Sequence, residues 1–152
     1  MTVDDPRAGM ALTESAGQPT VGDVMRPPTT TVERQAHLAA AAYLMKRSGD
    51  TALVVISDEG DDRRPVAIIT DADISQAVAD GKDLEDTRIS NLSARTPATL
   101  EREAGVGEAI RLMLSMGIAH VPVVDAGRLV GIVDMADVCR ALLGPDRTAP
   151  RG

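Results

Sequence analysis

Apolar positions along this chain follow two rhythms, and the order of rhythms occurs twice. Leu38, Ala41, Ala42 and Met45 fall at i, i+3, i+4 and i+7, the spacing of one helix face; Val106, Ala109, Ile110 and Met113 repeat it. Gly49 and Gly117 follow, as left-handed C-terminal residues would, so each pattern predicts a helix that stops there. Short apolar runs come next, at 52–56 and 120–124. Each leads through a turn rich in Asp, Gly and Arg to a second run, at 65–69 and 129–133, and the runs read as paired strands. A further helix is predicted from 71 to about 80 and from 135 to 143. Ahead of each unit lies an extended segment, 27–32 or 96–100, marked by proline and threonine. Proline lacks an amide donor and pushes its predecessor towards extended geometry, so a helix is not expected there.

The predicted unit is therefore β-α-β-β-α, present in tandem, and the residues themselves repeat. Thr31-Val32-Glu33-Arg34-Gln35-Ala36 aligns with Thr99-Leu100-Glu101-Arg102-Glu103-Ala104, 68 positions on, and the match continues through Gly49/Gly117 and Val55/Val123. The spacing then shortens by four, and Ala67-Ile68-Ile69-Thr70-Asp71-Ala72-Asp73 falls on Gly131-Ile132-Val133-Asp134-Met135-Ala136-Asp137. The expected fold is α/β (α+β), with pseudo-two-fold symmetry and small sheets packed on helices. Neither copy is large enough to bury a core alone, so the two stack, and the cleft between them is the expected ligand site. The expected organisation is a loose tail over 1–19, a first repeat over 20–81, a second over 88–144 and a second tail over 145–152.

Composition narrows the function. A net charge of −7, one Tyr and no Phe or Trp argue against nucleic-acid binding, which wants a basic track and aromatic platforms. No apolar run approaches the roughly 20 residues of a membrane span. The N-terminus lacks the cationic start of a secretory signal, and Cys139 is the single cysteine, so a cytoplasmic location is expected. His37 and His120 have no ligand-spaced neighbours, so no metal site is expected. No nucleophile–base pair is visible, which argues against an enzyme. Cys139 is expected to be a buried, inert thiol. Arg26 and Arg95 precede the extended segments and could reach an anion, but read first as solvated surface residues, and His37 reads as an exposed residue at a helix start.

Val24-Met25…Pro28, His120-Val121-Pro122-Val123-Val124-Asp125 and Gly131-Ile132-Val133-x-x-x-Asp137, in that paired order, closely resemble a tandem pair of cystathionine-β-synthase (CBS) domains, the Bateman module. The resemblance runs from about Thr20 to Gly144. It implies a free-standing regulatory module that binds AMP, ADP, ATP or S-adenosylmethionine between its repeats, with no other cofactor. It also implies pairing into a homodimer and action on an effector protein that the sequence does not name. The alternative is a ligand-free dimerisation or scaffold module.

The resemblance further implies site residues. The family's Gly-hydrophobic-x-Thr/Ser-x-x-Asp/Asn motif is met by Thr70 and Asp73, with Ala67 in place of the glycine. Asp73 would accept from the ribose hydroxyls, and Thr70 with the helix N-terminal amides would donate to a phosphate. The same two residues also spell a capping box, so binding and capping both stand as readings. Asp137 takes the ribose position in the second repeat. Asp134 stands where the family has Thr or Ser; its charge would repel a phosphate, which makes the second site phosphate-averse or empty. Backbone around Leu53 and Val121, with Pro122 beside it, would read the base edge, while Thr30 and Ala98 would line the cleft. For all five, ordinary strand core is the competing reading. His120 would face the phosphates or be a structural histidine.

Overall fold

Two short helical turns, separated by half the chain, decide how the halves of this protein join. The structure is a computed structural model that describes residues 17–28, 30–60, 62–92 and 96–144. Most of the expected N-terminal tail, all of the expected C-terminal one and Arg95 lie outside these residues.

The first half begins with α1 (Val21–Val24), then β1 (Thr31–Glu33), α2 (Leu38–Ser48), β2 (Ala52–Ile56), β3 (Pro65–Thr70) and α3 (Asp71–Ala79). A single 3-10 turn at Ile89–Asn91 opens the second half, followed by β4 (Leu100–Glu101), α4 (Val106–Met116), β5 (His120–Asp125), β6 (Arg128–Asp134) and α5 (Met135–Leu143). Each half holds one three-stranded sheet, in the order β1-β2-β3 or β4-β5-β6, with the first pair parallel and the second antiparallel. The registers correspond: Val32 pairs Val55 as Leu100 pairs Val123, and both hairpins shift register at the same place, between Val55 and Ile56 and between Val123 and Val124.

The helix limits follow the sequence signals. Gly49 and Gly117 both sit in the left-handed region, with φ of 76° and 65°, and their amides return to the carbonyls of Met45 and Met113. Thr70 and Asp134 cap α3 and α5 with reciprocal boxes to Asp73 and Asp137. The extended segments are shorter as strands than expected, because only 31–33 and 100–101 pair with a neighbour.

Each half closes its own core, but the leading turns are exchanged. The first core gathers Leu38, Ala41, Leu53, Val55 and Ile69, and it includes Ile89. The second gathers Val106, Met113, Val121, Val123 and Val133, and it includes Val21 from the start of the chain. Backbone bonds enforce the exchange: Val21 and Gly22 donate to Ala104 and Arg102 at 2.7 and 2.9 Å, while Ile89 and Ser90 donate to Ala36 and Arg34, both at 2.9 Å. Val21 is wholly buried and Ile89 is 3% exposed, so each exchanged side chain adds roughly 1.5–3 kcal/mol to the opposite half. The chain segment that leads from α1 into β1 must therefore cross from the second core to the first. That crossing lies at the cleft.

Candidate functional site

Beyond α1 the chain runs along the edge of β6, where Arg26 and Ile132 exchange backbone hydrogen bonds of 2.9 and 3.0 Å. The approach is close because position 131 is glycine. A Cβ there would overlap Met25 Sδ and lie 3.0 Å from the Arg26 carbonyl oxygen. Pro27 and Pro28 then carry the chain over the junction to β1.

A cavity of about 800 Å3 opens under this crossing. Its lining is mixed: Pro27, Pro28, Leu44, Ala52, Val54 and Ile132 are apolar, and Thr30, Thr31, Ser48, Thr51, Asp50, Arg26, Arg47 and His120 are polar or charged. Both halves contribute, and the Thr51 hydroxyl lies 3.3 Å from His120 Nε2 across the junction. The volume and the mixture of apolar and polar groups suit a small-molecule ligand of nucleotide size.

Arg26 joins the carboxylates of both halves. Its Nη1 lies 3.3 Å from Asp50, its Nη2 2.9 Å from Asp134 and its Nε 3.3 Å from Asp137. It stays exposed, as expected of a surface residue, and is also a three-way counter-ion, because the exchange of α1 delivers it onto α5's N-terminus. Asp134 and Asp137 in turn cap that helix: the Asp137 amide donates to Asp134 Oδ1 at 2.8 Å, and the Asp134 amide to Asp137 Oδ2 at 3.2 Å. Partial burial would raise the pKa of Asp134. Hydrogen bonding to the backbone and side chain of Asp137, with Arg26 and His120 nearby, outweighs it and holds the carboxyl below the ordinary carboxylate range.

The expected site residues distribute unevenly around this cavity. Thr30 and His120 line it; Asp134 and Asp137 do not but both pair with Arg26, and Asp137 lines a separate recess with Val24 and Arg140. Leu53, Val121 and Pro122 are buried in strand core, almost without exposure. On β2 the cavity is lined by the flanking Ala52 and Val54, since successive side chains face opposite sides of a strand. Thr70, Asp73 and Ala98 do not line it. Thr70 and Asp73 cap α3 instead: the Thr70 amide donates to Asp73 Oδ2 at 2.8 Å, and the Asp73 amide to Thr70 Oγ1 at 3.2 Å.

Two further expectations change. Cys139 is exposed, although its neighbour on α5, Val138, is buried. His37 is half-buried at the N-cap of α2, where the chain bridges to Arg88. Arg47, Asp50 and Thr51 are cavity residues that sequence reasoning did not assign, and Arg26 is one it noted only as able to reach an anion. Among the described residues no group of three or more His, Cys, Asp or Glu is arranged to hold a metal ion, and no helix is long and apolar enough to cross a membrane.

The profile of the CBS domain matches the sequence twice, over residues 21–80 and 89–144. An uncharacterised protein of Methanopyrus kandleri is 31% identical over 120 residues, covering 78% of this chain; the chain spans 60% of that relative's length. The solved CBS domain pair of protein MJ0100, in complex with 5-methylthioadenosine and S-adenosyl-L-methionine, superposes with a TM-score of 0.72 at 27% identity, over 82% of this chain and 96% of that one. A CBS domain protein of Pyrobaculum aerophilum complexed with AMP gives a TM-score of 0.72 at 28% identity, over 82% and 95%.

Proposed function

Since the chain belongs to the CBS-domain family, we propose that it is a regulatory module that binds an adenosine-containing ligand in the cleft between its two halves. The observation that carries this reading is the 800 Å3 cavity at the junction, lined by apolar side chains such as Ala52, Val54 and Ile132 together with Arg26, Arg47 and His120. The adenine lies against Ala52, Val54 and Ile132, and the ribose and phosphate extend towards the basic groups. The AMP and S-adenosylmethionine complexes of similar CBS proteins support the ligand class. Binding from both halves couples ligand to their relative arrangement, which is what a sensor needs in order to inform a partner. The module acts in the cytoplasm as a homodimer, on an effector protein, without catalysing a reaction itself.

A second reading, a ligand-free scaffold, draws support from the capping boxes. Thr70, Asp73, Asp134 and Asp137 all have hydrogen-bond partners without a ligand. Thermal unfolding in the presence of AMP, ATP and S-adenosylmethionine separates the two. A ligand at about 100 times its dissociation constant adds roughly 2.7 kcal/mol to the stability of a sensor. A scaffold unfolds at the same temperature with each of them.

A further inference from the structure

Arg26 lines the cavity and pairs with both Asp134 and Asp137, the second of which is the carboxylate expected to receive the ligand's ribose. The cavity wall is formed by Arg26 and not by Asp134 or Asp137. Asp137 is only 11% exposed at its side chain, with Arg26 Nε 3.3 Å away and Arg140 at 3.5 Å. A ribose diol that reached Asp137 would have to replace a charge-assisted bond from a guanidinium with neutral donors, which is an unfavourable exchange on its own. A phosphate alters the balance. Among the described residues the charged groups on the wall are two cations, Arg26 and Arg47, against one carboxylate, Asp50. A guanidinium has five N–H donors, and Arg26 uses Nη1, Nη2 and Nε on three different carboxylates. It can turn towards an incoming phosphate without leaving all of them.

We infer that Arg26 is the specificity-determining residue of this cleft: it refuses an unphosphorylated nucleoside by occupying Asp137, and admits a nucleotide by exchanging that carboxylate for the ligand's phosphate. This also alters the expected role of Asp134. Its charge is already paired with Arg26 at 2.9 Å, so it does not by itself exclude a phosphate from the site. The carboxylate instead holds the guanidinium where the phosphate arrives. The inference rests on the adenosine-ligand reading of the cleft.

Calorimetric titration of the full chain and of Arg26→Ala with AMP and with adenosine tests it. Replacing Arg26 exposes Asp137, so adenosine binds roughly fivefold more tightly, the scale of one or two partly exposed ion pairs. AMP binds at least about tenfold more weakly, because a charge-assisted contact is lost and Asp134 then faces the phosphate unpaired. A shift of the same factor for both ligands, or no shift, overturns the inference and leaves the ligand reading standing. An unmodified protein that binds neither ligand overturns both. The unmodified protein gives an independent measurement should the variant fold poorly. Raising the salt concentration weakens the ion pairs of Arg26, so adenosine affinity rises while AMP affinity falls; parallel trends for the two ligands refute the exchange.

Discussion

Replacing Gly131 with alanine tests the crossing on which the cleft depends. The backbone at 131 is not in the left-handed region, so alanine fits the strand, and the lost freedom of the unfolded chain favours it by about 0.4–1 kcal/mol. Sterics oppose it. The added Cβ overlaps Met25 Sδ, lies 2.7 Å from Met25 Cγ and sits 3.0 Å from the Arg26 carbonyl oxygen. Methionine can turn aside, but the carbonyl belongs to backbone that is paired with Ile132 in both directions. Overpacking of this kind costs about 1–3 kcal/mol, so Gly131→Ala is expected to be destabilising by roughly 1–2 kcal/mol. At this chain length that lowers the midpoint by about 2–8 °C.

The first half carries a buried alanine, Ala67, at the position equivalent to Gly131, so the strand itself accepts a Cβ and the obstacle at 131 is Met25 with the Arg26 carbonyl. Met25→Ala should therefore relieve the clash. In urea unfolding of the four proteins, the double variant should lose at least about 1 kcal/mol less than the sum of the single losses. Strict additivity, or a Gly131→Ala protein as stable as the parent, would refute the account of the crossing.

Three other outcomes follow from the same geometry. Asp73→Ala removes the reciprocal cap of α3 and should cost about 1 kcal/mol in urea unfolding; a loss of nucleotide affinity in the same variant would show that Asp73 also serves a ligand. The folded pKa of Asp134 is lowered, so its contribution to stability is fully present above the ordinary carboxylate range and is lost as pH falls through the lowered value. The stability difference between the parent and Asp134→Asn should accordingly shrink in acid, and a difference constant with pH would contradict the ion-paired site. Tyr43, Leu114, Met116 and Leu143 are 59, 70, 54 and 86% exposed on α2, α4 and α5, which is apolar surface available to a second copy. Light scattering should give twice the monomer mass, and a monomeric mass at micromolar concentration would count against the homodimer.

The tandem architecture was legible because its determinants are local. Glycine stops α2 and α4, a Thr-x-x-Asp or Asp-x-x-Asp box starts α3 and α5, and the apolar runs coincide with the strands to within a residue or two. The exchange of leading turns was not, since four residues from Val21 to Val24 carry no periodicity that says which core they enter. Arg26 and Asp134 meet across 108 positions for the same reason. One trace of the crossing was visible. Gly131 faces Ala67 in the repeat alignment, and the glycine belongs to the half over which Met25 passes. The Leu53 and Val121 positions show the opposite case. Strand assignment was sound there, but which of two alternating faces meets the cleft is set by how the halves pack.

The central claim, an adenosine ligand held between the halves, is tested most directly by amide NMR of the unmodified chain titrated with AMP. The account predicts that the amides of Thr30, Thr51, Ala52, His120 and Ile132 shift together with one saturation curve, because they line one cavity built from both halves. Saturable shifts confined to a single half, or an unchanged spectrum at millimolar AMP, would contradict it.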